Sequence, residues 1–547
     1  MENVTFYQVS SLEKVYLDYK LPKEEFCCIS ALKNERVSYQ IAYRGNKNFM
    51  RRDMKITVNS CLKDFVKVRF VQNVPSAYPI RVHSDEYYEK YEPGLFPDVL
   101  CPIENNTIEV TCSVWHSVWV SVELDGTKPS GKYPIDIVFS DDEGSVIKHM
   151  ELEIINAELP EQEMIFTQWF HADCLADYYK VKVFGKKHWE LIDKFMALAV
   201  KNGINMMLTP IFTPPLDTEV GFERTTVQLV GIEKNGDKYL FDFSKLKKWI
   251  RLCKKNGIKY FEMAHLFTQW GLEATPKIMA TVNGRQERIF GWDVVSESKE
   301  YEIFLSQFLP ALSDFLKKEK VADNTFFHLS DEPNGEEHQK RYLKFKEIVK
   351  RYIPEYTIID ALSEYEFYEK KITELPIPAS NHIDKFIENN VPNLWTYYCC
   401  SQAVGVSNRF MAMPSYRNRI ICTQFYKFDI KGFLHWGYNF YNSALSKKKI
   451  NPFMVTDAID TYPSGDPFSV YPGEDGPLES LRIVVFSEAL SDLRAFKLLE
   501  SFAGRERVIK LIEDMAGMEI KFDKYPHTAE YILKLRQTVN EEIKKYC

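Results

Sequence analysis

The sequence predicts an α/β chain in three parts: an N-terminal antiparallel β-sandwich over residues 1–160, a central (β/α)8 TIM barrel over 161–445, and a C-terminal helical extension over 446–547. Three observations carry this. Residues 1–160 are short segments of alternating hydropathy broken by turn residues, the pattern of a two-layer antiparallel sheet. From residue 164, apolar strand-like runs alternate with amphipathic helical stretches, the pattern of βα units around a parallel sheet. Past residue 440, an irregular Pro/Gly-rich stretch, PSGDPFSVYPGEDGP, gives way to amphipathic helices between Glu479 and Cys547.

In the first part the strand segments are RVSYQIAYRG, MKITVNS, FVKVRFVQNV, NTIEVTCSVWHSVWVSVEL and KYPIDIVFSDDEGSVIKHMELEII. Asp141 to Gly144 reads as a hairpin turn and Gly126 to Gly131 as a loop. Such a sandwich serves either as a packing accessory or as a sugar-binding module, and Leu159 to Glu163 marks its boundary. Eight parallel strands follow: Met164 to Phe170, Ile204 to Leu208, Lys259 to Leu266, Thr325 to Ser330, Tyr356 to Ala361, Pro378 to Ile383, Leu394 to Cys399, and Gly432 to Tyr438. The helical stretches HWELIDKFMALAVKNG and SKLKKWIRLCKKNG both end in Asn-Gly, a left-handed stop. A long insertion after the second strand holds TTVQLVGIEKNGDKYLFDFS, whose Asn235-Gly236 predicts a type I′ hairpin forming a wall over the barrel mouth.

Composition narrows the function. With 547 residues, 45% of them hydrophobic, the chain can bury large cores. Its 70 Lys+Arg against 77 Asp+Glu give a net charge of -7 and no basic face for a phosphate backbone, which argues against nucleic acid as a partner. No stretch is apolar enough to span a membrane, and the N-terminus lacks the pattern of an export signal. Eleven scattered cysteines without CxxC spacing suit a reducing compartment and no zinc ribbon, so the expected location is cytoplasmic. No cofactor-binding glycine loop is present, and the oligomeric state has no signature.

The most informative stretch is NTFFHLSDEP, Asn324 to Pro333: an apolar run ending at Asp331 and Glu332. Barrel enzymes carry their chemistry at the C-terminal ends of strands, and adjacent carboxylates push one pKa upward, as acid–base work on a glycosidic bond requires. Equally, Asp-Glu-Pro-Asn could be only the solvated first turn of the helix GEEHQKRYLKFKEIVKRY. Aligning the other predicted strand ends brings polar and aromatic groups together. These are Thr167, Gln168, Trp169, His171 and Asp173; His265, Gln269 and Trp270; Trp395, Tyr397 and Tyr398; Trp436, Tyr438 and Asn439. Any one of them is readily explained as core, whereas several at successive strand ends suggest a sugar pocket.

The ordered motifs WFHADCLADYY, HLFTQWGLEATPKI, HLSDEP, LWTYYCC, GFLHWGYNFYN and PSGDPFSVYPG resemble glycoside hydrolase family 123, the β-N-acetylgalactosaminidases and their relatives. The resemblance runs from about residue 160 to about 500. It implies a retaining, substrate-assisted mechanism in which the sugar's own acetamido group attacks the anomeric carbon. Carried over, Asp331 would orient and polarise the acetamido group, and Glu332 would be general acid and then general base. Tyr397 or Tyr398 would hold the acetamido carbonyl and Trp436 would surround its methyl group, with His171, Asp173, His265 and Asn439 as hydroxyl contacts. Trp270 and Tyr438 complete the expected substrate-binding set, and no metal is implied. The absent export pattern favours short oligosaccharides or glycoconjugate fragments over large extracellular glycans. Two rival readings stand beside this one: a metal-dependent barrel hydrolase using His171, Asp173, His265 and His328, and a catalytically silent carbohydrate-binding protein.

Overall fold

The computed structural model of the protein describes residues 3–46 and 52–547. Residues 1–2, at the head of the predicted sandwich and of the stretch searched for an export signal, lie outside it, as do 47–51. Near the N-terminus, two five-stranded sheets pack face to face. One orders Val4–Ser10, Arg36–Gly45, His116–Glu123, Val66–Ser76 and Gly94–Pro102. The other orders Cys28–Leu32, Gly144–Ile155, Gly131–Asp141, Arg52–Asn59 and Thr107–Val110. Alternation does the work here: in Arg52–Asn59, Met54 and Ile56 are buried between exposed neighbours, and they join Phe6, Tyr39, Ile41, Ile137 and Phe139 in a shared core. The expected Asp141 to Gly144 hairpin forms with a two-residue turn. One strand departs from the antiparallel expectation: Cys28–Leu32 runs parallel to Gly144–Ile155. It reaches that edge by a crossover from the other sheet and is then covered by the C-terminal helix Ala529–Lys544, whose Asn540 bonds Ser30.

Eight parallel strands follow. Met206–Thr209, Tyr260–Met263, Thr325–Phe327, Thr357–Ala361 and Leu375–Ile377 form a five-stranded sheet; Ile165–Gln168, Gly432–His435 and Trp395–Tyr397 form a three-stranded one. The two sheets are stitched at both seams. Asn205 N donates to Phe166 O (3.1 Å) at one, while Ser380 N donates to Tyr397 O (2.8 Å) and Tyr397 N to Pro378 O (3.1 Å) at the other. Inward side chains from both, including Met206, Leu208, Ile359, Trp395 and Leu434, meet in one core. The amphipathic helices Lys186–Lys201 and Ser244–Asn256 stop where the Asn-Gly pairs predict, with Gly203 at φ 88° and Gly257 at φ 99°.

Further elements differ from the sequence expectation. The sixth strand is Leu375–Ile377 rather than Pro378 to Ile383, because residues 379–382 turn into the helix Asp384–Glu388. The hairpin after the second strand turns on Gly236 and Asp237, and only Gly236 takes a positive φ (61°), so it is not the type I′ turn expected from Asn235-Gly236. That hairpin pairs with a second one, Ile278–Val282 and Arg285–Phe290 from the loop after the third strand, in a single four-stranded sheet.

The C-terminal helices tie the other two parts together. Leu481–Ala503 is buried on nearly every side and is wedged between the sandwich and the parallel sheets. Its Arg482 makes a bidentate pair with Asp98 of the sandwich (2.9 Å twice), and its Glu488 and Asp492 hold Arg419 at 2.9 and 2.7 Å. Just before it, Glu479 takes both Arg36 and Arg69. Breaking any one such pair would strand a buried charge, which fixes the three parts against each other. Among the described residues no helix is long and apolar enough to cross a membrane.

Candidate active site

The fourth parallel strand was expected to continue to Ser330, yet its regular ladder ends at Phe327. Beyond it, Leu266 N and Phe267 N donate to the carbonyls of His328 (3.1 Å) and Leu329 (2.9 Å), and the Asp360 carboxylate accepts the Leu329 N–H at 3.1 Å. The chain therefore stays extended while leaving the sheet, and Asp331 and Glu332 emerge at its tip. They do not lie in a helical first turn: that helix starts at Gly335, and Glu336 and Glu337 are its first acids.

Glu332 sits at φ 46°, a left-handed conformation that is strained for a side chain of its size. It is held there by Glu332 N donating to Ala361 O (3.1 Å) and by Trp270 N donating to Asp331 O (3.0 Å), with Trp270 itself at φ 57°. Strain concentrated at two facing residues, and fixed by neighbouring strands, accompanies the opening of both carboxylates to one cleft. Trp169, Leu434 and Ala361 line it together with Trp270, Tyr397, Trp436, Asp217 and Tyr462. Tyr397 Oη donates to Glu332 Oε1 at 2.7 Å. Trp436 presents a ring fixed by Nε1 donating to Asp466 Oδ2 (3.0 Å) and by edge contacts to Phe440 and Tyr462. Burial, followed by the negative charge of Glu332, holds the Asp331 carboxyl well above the usual carboxylate range.

Of the eleven residues singled out by sequence, Asp331, Glu332, Trp270, Tyr397 and Trp436 reach this cleft. The other six are packed elsewhere. Asp173 is locked in a bidentate pair with Arg224 (2.7 and 2.8 Å), and His171 Nδ1 faces the same guanidinium at 3.0 Å. Burial and then Arg224 push the His171 imidazole down to about 3, so it is neutral. Asn439 clasps the backbone of His171 through Oδ1 and Nδ2, and Tyr438 Oη donates to Phe195 O. Tyr398 is buried against Phe433 and His435. His265 is sealed below the cleft, stacked on His328 with ring centroids 4.3 Å apart. Sequence reasoning missed Asp217 and Tyr462, whose side chains bond each other at 2.7 Å, because both lie in irregular insertions with no motif. It also passed over Cys399 and Cys400, which border the cleft.

The four ligands of the metal-hydrolase reading do not converge, since His171 and Asp173 belong to the Arg224 cluster. His265, His328 and Asp360 do bring three possible ligand atoms within 4.8 Å of one another. Their geometry fits an ion poorly: the two imidazole planes lie 15° apart in a stack, so their in-plane lone pairs run nearly parallel. Both nitrogens of His328 already face carboxylates, Asp360 at 3.1 Å and Glu262 at 3.0 Å.

Among solved structures, a family 123 glycoside hydrolase from Clostridium perfringens, described for glycolipid glycan hydrolysis, aligns with a TM-score of 0.76 at 16% identity. The alignment covers 100% of this chain and 97% of that one, and shows a shared fold. A β-glucuronidase from Bacteroides uniformis aligns at a TM-score of 0.31 and 11% identity over 89% of this chain and 52% of its own, too weak a likeness to carry an argument. No curated protein matches. The profile described as glycoside hydrolase 123, catalytic domain, matches residues 169–499, more than half of the sequence, and the chain accordingly belongs to glycoside hydrolase family 123.

Proposed function

We propose that this glycosidase releases a terminal β-linked N-acetylhexosamine, with N-acetylgalactosamine as its sugar by family resemblance, through a retaining, substrate-assisted mechanism. The observation that carries the reading is the pair Asp331 and Glu332, adjacent in sequence at one strand end, with Glu332 strained at φ 46° and both open to one cleft. A retaining enzyme with its own nucleophile sets two carboxyls ~5 to 5.5 Å apart across the anomeric carbon, whereas a nucleophile supplied by the substrate needs both carboxyls on one side of it. The eight parallel strands and their two stitched seams support a closed (β/α)8 barrel, with this pair at its C-terminal mouth.

In this mechanism the acetamido oxygen attacks C1, the C1–O bond to the aglycone breaks, and Glu332 gives its proton to the departing oxygen. Asp331 accepts the acetamido N–H and stabilises the positive charge that develops on the oxazolinium ring. Glu332, now a carboxylate, then takes a proton from the water that opens the ring at C1. In the free enzyme, burial and the charge of Glu332 hold the Asp331 carboxyl above the usual range, and donation of the acetamido N–H to Asp331 favours its ionised form. Tyr397, bonded to Glu332, sits within reach of the reacting groups, and Trp436 and Trp270 offer ring faces for the sugar. The free state of all eleven cysteines supports action in a reducing compartment.

A panel of aryl β-glycosides tests the reading. Turnover is expected for the N-acetylhexosaminides and not for the plain β-galactoside. A thiazoline of the same sugar should bind ~10²-fold tighter than the sugar, and Asp331→Asn should weaken it. Rapid hydrolysis of the plain galactoside, or a covalent 2-fluoroglycosyl adduct, would return Asp331 to the role of direct nucleophile.

A further inference from the structure

Directly beneath the candidate catalytic pair lies a fully buried triad that the mechanism above does not use. His328, three residues before Asp331, places Nδ1 at 3.1 Å from Asp360 Oδ1 and Nε2 at 3.0 Å from Glu262 Oε2. None of the three side chains is exposed. A neutral imidazole has a single N–H and could satisfy only one of these carboxylates, so two acceptors on opposite ring nitrogens call for a doubly protonated ring. The surroundings agree. Glu262 also accepts from Thr167 Oγ1 and from Trp169 Nε1 (3.2 Å); Asp360 accepts from Tyr342 Oη (2.7 Å) and the Leu329 N–H. Burial pushes the Asp360 carboxyl above the usual range, and its bonds from His328, Tyr342 and Leu329 work against that rise. Burial would drive His328 toward neutrality, but its hydrogen bonds to Asp360 and Glu262 outweigh this and hold the imidazole up to about 9. His265, stacked on it, finds no hydrogen-bond partner for either nitrogen among the described residues and is kept neutral by burial and by the charge of His328.

The triad touches the candidate site at two points. Glu262 fixes the indole of Trp169, which lines the cleft, and Asp360 fixes Leu329 in the segment carrying Asp331. We infer that His328, clamped between Glu262 and Asp360, is a positioning residue for Asp331: a fixed positive charge under the cleft that offsets the negative charge of Glu332. The groups facing Asp331 make the need plain. Glu332, Asp360 and Asp217 all oppose a carboxylate there, and His328 is the cation acting against them. The inference rests on the proposed role of Asp331 and deepens it, since a carboxylate that must meet developing positive charge cannot remain a neutral acid.

The test needs no substrate. The Asp331 carboxyl titration is followed by ¹³C NMR, with the signal identified by its loss in Asp331→Asn. In His328→Gln its midpoint should rise by ~1 pH unit or more; an unmoved midpoint overturns the inference. Should that variant not fold, ¹⁵N-histidine spectra of the wild-type protein at pH 8 decide, because ordinary histidines are neutral there. One ring carrying both protons is expected, and a spectrum without an imidazolium overturns the inference. In an active preparation, His328→Gln should also move the acidic limb of the kcat/KM profile upward, lowering kcat at pH 6 by ~10-fold with little change in KM. A uniform loss with the limb unmoved would instead mean a packing role. Failure of the protein to hydrolyse any N-acetylhexosaminide would retire the proposed function while leaving the two NMR readings intact.

Discussion

Two clusters of acid, base and aromatic groups stand side by side in this molecule and do opposite things. Around Arg224, His171 and Asp173 are sealed: the guanidinium serves both, Asn439 clasps the His171 backbone, and Asp173 is 1% exposed. Around Glu332, one carboxylate oxygen meets Tyr397, while Asp331 is left facing the cleft with its proton affinity raised. Both clusters follow parallel strands, and by residue type they look alike. What separates them is leftover capacity. A fully paired charge is a fastening, and only a group with unspent lone pairs, open space and a shifted pKa has something to offer a substrate.

The comparison can be broken at either end. The largest effect is expected at the sealed cluster, where Arg224→Met leaves the Asp173 carboxylate buried without its partner. Stability should fall by about 3–5 kcal/mol in chemical denaturation, while kcat per folded molecule stays within a few-fold. A catalytic loss without a stability loss would mean that this cluster belongs to the site after all. Glu332→Gln should do the reverse, lowering turnover of an unactivated glycoside by ~10²-fold or more with the melting temperature nearly unchanged. Activated aryl glycosides, which need less proton donation, should suffer less.

Smaller changes sharpen the contrast. Tyr397→Phe removes one hydrogen bond to Glu332, so kcat should drop by ~3- to 10-fold in steady-state assays. The smallest effect concerns the stability that the open cluster gives up. Asp331 binds its proton more tightly in the folded protein than in the unfolded chain, through burial and the charge of Glu332. Its contribution to stability is therefore present at acidic pH and is lost as pH rises from the unfolded carboxylate value, ~3.9, toward the raised folded value. Asp331→Asn should accordingly stabilise the fold at pH 7 by on the order of 1 kcal/mol, with the gain vanishing below about pH 4. Equal stability of the two proteins in urea across that range would show that Asp331 is not under strain from its neighbour.

The sequence alone determined the parts that depend on local pattern. Period-two alternation in segments such as Arg52–Asn59, Asn-Gly stops at Gly203 and Gly257, and the apolar run ending in Asp331 and Glu332 were all legible, because each is written within a dozen consecutive residues. The proposed catalytic pair was named from the same local pattern. Tertiary structure decided which strand-end groups face the cleft. His171, Asp173, Tyr438 and Asn439 sit near strand ends but turn toward partners hundreds of positions away or in unpredictable insertions, as Arg224 does in its loop, while Tyr398 packs against Phe433 and His435 of the neighbouring strand. Asp217 and Tyr462 enter the site from irregular segments for which hydropathy gives no period. The charge on His328 depends on Glu262 and Asp360 arriving from two other strands. Pairing, burial and charge are properties of neighbours in space, and a chain read in order names the candidates without saying which of them has been left a hydrogen bond to spare.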